Sequence, residues 1–194
     1  MSKSVPLTGY LHFMWAGLAR HLQTGAFLPS QRFLIQTMLN PIPTDYRGRV
    51  VELGTGNGTL TVRLAARCPH ASIVACEINP TLAQDTRLTL ARAGVNGQVQ
   101  VRENSAQQVL ADLVRQPGEK PGFIISGLPL GNLPKREVVD LLEAASSVLS
   151  PKGVFVQVQH FLLDRKYIRM VFGNVRTVPV VFNVPPAFVY FAQK

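Results

Sequence analysis

A short apolar run ending in glycines at alternate positions constrains this 194-residue chain more than any other feature. Val50, Val51, Glu52 and Leu53 lead into Gly54-Thr55-Gly56-Asn57-Gly58, after which Thr59 and Leu60 open a stretch with helical spacing. Glycine permits a sharp strand-to-helix turn and lets backbone N–H groups come within contact distance of a ligand. Val74-Ala75-Cys76-Glu77 is a second short apolar strand, and it ends in a carboxylate. An acid at the tip of the next parallel strand is placed to accept hydrogen bonds from the two hydroxyls of a ribose. Glu77 takes that role, with Ile78 beside it. The glycines follow G-x-G-x-G rather than the G-x-G-x-x-G of dinucleotide enzymes, and Glu52 stands just ahead of them, where a carboxylate can meet an amino group. A pyrophosphate would be poorly served there. The two halves together describe a nucleotide cofactor site.

Composition narrows the setting. Hydrophobic residues make up 46% of the chain, yet no apolar run approaches the roughly 20 residues needed to span a bilayer. The first eight residues lack the charged, apolar and cleavage regions of a signal peptide, so a cytoplasmic chain is expected. Cys68 and Cys76 are the only cysteines, and buried free thiols are the expected reading. Lys and Arg total 20 against 11 Asp and Glu, a net charge of +9. That balance favours polyanionic partners, either nucleic acid or an anionic membrane surface, and does not choose between them. His12, His21 and His70 show no metal-ligand spacing, so no metal is expected.

Along the chain, Pro41-Ile42-Pro43-Thr44 separates an N-terminal helical region or lid, 1–40, from a domain spanning 41–194. Strands are expected over 49–53, 72–77, 99–103, 122–126 and 153–159, and helices over 58–67, 80–93, 106–115 and 135–149. A closing antiparallel pair is expected over 176–182 and 187–192. Runs such as Phe123-Ile124-Ile125 are apolar throughout, as in strands covered on both faces. Alternating strands and helices with a terminal hairpin give an α/β fold with a doubly wound, mostly parallel sheet. Over 10–23, Leu11, Met14, Trp15, Leu18 and Leu22 recur on one helical face. Such a helix either packs on the domain or lies in a lipid interface, with Tyr10 and Trp15 at headgroup level.

The glycine run and Glu77 resemble the first two motifs of the class I S-adenosylmethionine-dependent methyltransferases. That resemblance implies a Rossmann-like sheet of seven strands with one reversed, S-adenosylmethionine as cofactor and S-adenosylhomocysteine as product. Glu52, Gly54, Thr55, Gly56, Gly58, Glu77 and Ile78 would line the cofactor, with Asn104, Ser105 and Ser126 beside them. The tip of the fourth strand, Ser126-Gly127-Leu128-Pro129-Leu130, is similar to the loop with which amino methyltransferases hold an N–H group against the sulfonium carbon. Ser126, Gly127 and Leu128 therefore become catalytic candidates. Leu130 stands at the aromatic position of that loop, where a base would otherwise stack for about 1–3 kcal/mol, so a purine target is disfavoured.

Further matches narrow the resemblance to the soluble bacterial phospholipid N-methyltransferases. These are the Ser-Gly-Leu-Pro loop, Gly25-Ala26-Phe27-Leu28-Pro29-Ser30, Gly153-Val154-Phe155-Val156-Gln157 and Asn183-Val184-Pro185-Pro186-Ala187. One departure is Glu103-Asn104-Ser105-Ala106, where that family usually has Gly-Asp-Ala; Asn104 either accepts from the adenine amine or, like Ser105, caps a helix. The resemblance implies methylation of the head-group amine of phosphatidylethanolamine or its methylated forms, by a protein peripheral at the inner face of the membrane. Its partners would be the phospholipid substrate and the anionic surface. His160 and Tyr10 are candidates for binding or deprotonating the amine, each with a structural role as the alternative. Lys135-Arg136 and Arg165-Lys166 either meet lipid phosphate or form solvated faces. The competing readings are a ribosomal RNA adenine N-methyltransferase, a methyltransferase of a small soluble amine, and a non-catalytic binding module. Neither the number of methyl groups transferred nor the oligomeric state is legible in the sequence.

Overall fold

The computed structural model describes residues 29–115, 118–162, 164–183 and 185–194. Tyr10, the amphipathic stretch 10–23 and most of the Gly25-to-Ser30 motif lie outside the described residues. The elements run α1 (Pro29–Leu39), β1 (Arg49–Leu53), α2 (Thr59–Arg67), β2 (Ser72–Glu77), α3 (Pro80–Arg92), β3 (Val99–Glu103) and α4 (Ala106–Arg115). They continue with β4 (Phe123–Ser126), a 3-10 turn (Leu130–Asn132), α5 (Lys135–Val148), β5 (Val154–Gln159), α6 (Arg165–Val171), β6 (Asn174–Val180) and β7 (Ala187–Gln193).

Seven strands form one sheet in the order β3-β2-β1-β4-β5-β7-β6. β1 to β5 pair in parallel, and β7 enters antiparallel between β5 and β6. The chain therefore winds outward from β1 in one direction, returns, and continues from β4 in the other. The switch between the halves lies at β1 and β4, where sheets of this kind bind ligands beyond the strands' carboxyl ends.

Alternate residues of each strand feed two cores. Val51, Leu53, Ile124 and Phe155 join Leu110, Leu141 and Ile168 on the face covered by α4, α5 and α6. Val50, Ile73, Ile125 and Val156 join Met38 and Leu64 on the face covered by α1, α2 and α3. β4 is buried along its whole length, as its unbroken apolar pattern requires. Cys68 and Cys76 are buried free thiols. No helix among the described residues is long and apolar enough to cross a membrane.

Most expected boundaries fall within one residue of those observed, with two corrections. The last hairpin begins earlier than expected: β6 is Asn174–Val180, and Val181 and Phe182 leave the sheet to stand exposed in the turn. Their apolar character extends the expected strand, whereas Pro179 stays inside it because β6 is the edge of the sheet among the described residues, with no further strand there to hydrogen-bond. α6 was not anticipated at all. It has seven residues and a single buried side chain, Ile168, too little to generate a periodic signal.

Candidate active site

The glycine turn is fixed by both neighbours of β1. Gly54 N and Thr55 N both donate to Cys76 O of β2, at 2.9 and 3.2 Å, while Gly127 N, just past β4, donates to Leu53 O at 3.0 Å. Gly54, Gly56 and Gly58 all adopt positive φ, at 82°, 57° and 82°. A Cβ on Gly54 would lie 3.0 Å from Leu128 Cδ2, and one on Gly58 only 3.1 Å from Thr86 Cα. Those two glycines are thus required by backbone conformation and by close approach at once. Thr86 of α3 ties the turn down from below. Its hydroxyl donates to Gly56 O at 3.0 Å, so in the 2.9 Å contact between Thr55 Oγ1 and Thr86 Oγ1 the proton comes from Thr55.

Glu77 lies beneath this turn and is 1% exposed. Its Oε2 accepts from Gly56 N at 3.0 Å and its Oε1 from Asn79 N at 2.9 Å. Burial pushes its carboxyl up to about 7 despite those N–H donors. Each oxygen retains a lone pair, which suits a carboxylate that also receives two ribose hydroxyls. Ile78 beside it is 36% exposed, an apolar surface at the mouth. Asn104 Oδ1 accepts from Ser105 N at 2.9 Å, and Ser105 Oγ accepts from Gln108 N at 3.1 Å, capping α4.

Glu52 is fully buried and neither carboxyl oxygen has a hydrogen-bond partner among the described residues. Burial lifts its pKa to about 8; the nearby Thr61 hydroxyl moderates the rise without reaching hydrogen-bonding geometry, and Glu77 adds to it. An orphaned carboxyl is costly, and an α-ammonium group is the kind of donor that relieves it. Orphaned acid, glycine cradle and buried ribose acceptor together fit S-adenosylmethionine.

Across the switch, Ser126 is fully buried and its Oγ accepts from Leu128 N at 3.4 Å. Leu130 is a core residue with no exposed surface, so its side chain offers no stacking platform at the mouth. Sequence reasoning passed over Gln157 as a functional side chain. Its Nε2 donates to Leu128 O at 2.9 Å and orients that carbonyl, and the detectable signal was an amide embedded in the apolar run of β5. Thr86 left no such signal. His160 Nδ1 contacts Pro186 O at 3.1 Å; a carbonyl only accepts, so Nδ1 carries the proton and the ring fastens the end of β5 to the β6–β7 turn. Lys135 and Arg136 open α5, where Arg136 faces Asp140 at 4.0 Å on a solvated surface.

The methyltransferase small domain family matches residues 29–181. The chain is 31% identical over 167 residues to an ornithine lipid N-methyltransferase of Singulisphaera acidiphila, 85% of each chain. It is also 31% identical to ribosomal RNA small subunit methyltransferase C of Salmonella choleraesuis, over 64 residues that span 33% of this chain and 19% of that one. An O-methyltransferase from Bacillus cereus, solved with S-adenosylhomocysteine, shares the fold with a TM-score of 0.69 at 19% identity, over 98% of this chain and 93% of that one. With its seven-stranded sheet, its glycine turn and its paired acids, the chain belongs to the methyltransferase small domain family and is a class I S-adenosylmethionine-dependent methyltransferase.

Proposed function

We propose that this enzyme methylates the head-group amine of a membrane lipid, with phosphatidylethanolamine or its methylated forms as the expected acceptors. The observation that carries the reading is an exposed apolar rim at the carboxyl end of the sheet, the end where the cofactor site opens. Phe161 and Leu162 follow β5, and Val181 and Phe182 follow β6; they are 71, 47, 64 and 77% exposed. Phe33 of α1, 55% exposed, lies against Phe182 with ring centroids 6.4 Å apart. Large apolar side chains grouped at the mouth of a site suit a substrate presented by a bilayer. The relative that acts on ornithine lipid supports the same reading, since the likeness spans most of both chains.

Bound S-adenosylmethionine supplies an electrophilic methyl carbon, which the amine nitrogen takes as the carbon–sulfur bond breaks towards sulfur, with one proton lost from nitrogen. The protein's own contribution is placement and exclusion of water. Leu128 O is fixed from two sides, accepting from Gln157 Nε2 and from Leu130 N at 2.9 Å each, which holds the loop that would face the amine. Ser126, two residues before Leu128, ends β4 and lies between Leu53 and Gln157 in the sheet register.

Transfer of labelled methyl from S-adenosylmethionine tests this, with phosphatidylethanolamine vesicles, ornithine lipid vesicles and protein-free ribosomal RNA as parallel acceptors. Label in the chromatographed lipid extract is expected. Label in RNA alone, or in a soluble amine but in neither lipid, would overturn the proposal.

A further inference from the structure

On the α6 side of the sheet, a group of buried polar atoms has no hydrogen-bond partner among the described residues: Gln157 Oε1, Gln159 Nε2, Thr177 Oγ1, Tyr190 Oη and Arg165 Nε. The sheet register gathers them. Gln157 faces Tyr190 across β5–β7, Tyr190 faces Thr177 across β7–β6, and Gln159 lies two residues beyond Gln157 on the same face. Gln157 and Tyr190 have no exposed surface, and Gln159 is 8% exposed. Asp164 joins them from the start of α6. It occupies the cap position but makes no capping hydrogen bond, so its carboxylate is not spent on the helix. Its Oδ2 lies 3.4 Å from where a Cβ on Gly131 would stand, beside the loop that follows Ser126. Asp164 and Arg165 both act electrostatically on the Tyr190 hydroxyl, which brings the two charges to the same place.

Each such atom left unsatisfied is costly, and several together weigh heavily against the small net stability of a domain. A polar occupant is the economical explanation. Gln157 also connects the group to the methyl-transfer loop, because its Nε2 holds Leu128 O while its Oε1 remains open.

We propose that Gln157, Tyr190, Asp164 and Arg165 form the acceptor subsite, built for a zwitterion that carries a primary amine and an anionic group a few bonds apart. The Asp164 carboxylate, Gln157 Oε1 and Tyr190 Oη receive the ammonium hydrogens, and Arg165 meets the anion. Both phosphate-linked and carboxylate-bearing head groups satisfy that description, as do their soluble counterparts. The subsite rests on the amine-methylation reading above and specifies how the amine is recognised.

The test uses the full chain with S-adenosylhomocysteine bound and phosphoethanolamine or ornithine as soluble probes, followed by calorimetry, and then KM on vesicles of each lipid. Asp164→Asn is expected to weaken probe binding and raise lipid KM by about 10- to 100-fold, the range for losing a hydrogen-bonded charge. Cofactor affinity and melting temperature should stay near wild type. Tyr190→Phe, isosteric within the core, should give a smaller loss of the same sign. Probe affinity confined to the lipid-linked forms would make the membrane part of the subsite, whereas equal affinity for soluble forms would assign recognition to the head group alone. If wild-type enzyme methylates lipid but both variants keep its KM, the subsite is wrong and the lipid reading stands. If neither lipid is methylated and neither probe binds, both fall.

Discussion

Glu52 and Glu77 stand on adjacent strands, both buried, and differ in what surrounds their oxygens. Glu77 holds two backbone N–H groups, whereas Glu52 has no partner among the described residues. Both acids titrate above the ordinary 4.5, Glu52 at about 8 and Glu77 at about 7. Between 4.5 and those values the folded chain keeps protons that the unfolded chain has released. Stability of the cofactor-free protein therefore falls as pH rises through that window, by about 1.4 kcal/mol per unit for each group, and levels off above it. The chain's positive charge works in the opposite sense, since self-repulsion eases towards its pI near 10.2, so the informative quantity is a difference between variants. Glu52→Gln is expected to flatten the fall and to melt above wild type at about pH 8.5 but not at about pH 5.5. It should also weaken S-adenosylmethionine binding by about tenfold or more, through loss of a charged hydrogen-bond acceptor. Parallel melting curves for variant and wild type across pH would show that Glu52 is ionised and solvated in the free protein.

The strand-turn-helix unit from β1 to α2 shows how much of the site the sequence discloses. The positions of Gly54, Gly56 and Gly58 and the acid at the end of β2 were legible because each answers to a local rule of backbone geometry or strand length. What α3 contributes was not. Thr86 meets the turn from thirty residues away, through contacts that no local spacing encodes. The same holds for Gln157 and Tyr190, whose pairing depends on the register of two antiparallel strands far apart in the chain. α6 escaped notice because one buried isoleucine makes no period. A pair of substitutions separates the two demands on glycine. Gly94 has φ of 71° with nothing within 4 Å of an added Cβ, whereas Gly58 has φ of 82° and the α3 backbone at 3.1 Å. Gly94→Ala should cost about 1–2 kcal/mol, the conformational term alone. Gly58→Ala should cost roughly 1–3 kcal/mol more, because α3 must move, and should weaken cofactor binding, which Gly94→Ala leaves intact. Equal unfolding free energies for the two variants would mean that the Thr86 contact yields without cost.

For the whole molecule, part of the basic excess falls at the same end of the sheet as the exposed apolar rim: Arg165 and Lys166 open α6 just after β5, whereas Arg176 on β6 and Lys194 after β7 lie towards the other end. From 160 to the end of the chain, Asp164 is the single acid against Arg165, Lys166, Arg169, Arg176 and Lys194, and Asp164 is buried. Phe161 and Phe182 stand out at the carboxyl end, 71 and 77% exposed. A bilayer containing anionic lipid complements both properties: phosphates draw the cations, and the rings enter the interface. Full burial of a phenylalanine is worth about 1.5–3 kcal/mol, so even shallow insertion of two should be measurable. Phe161→Ala combined with Phe182→Ala is expected to lower partition onto anionic vesicles by about tenfold or more, with cofactor affinity unchanged. Wild-type partition should also drop as ionic strength rises from about 0.05 to about 0.5 M, over which the Debye length shortens severalfold, while the residual binding at high salt reports the rings. Sedimentation of the same samples reads the competing occupant. If the double variant keeps full vesicle affinity, or if it merely converts a dimer into a monomer, the rim belongs to contact between copies of the chain and the lipid must be met elsewhere.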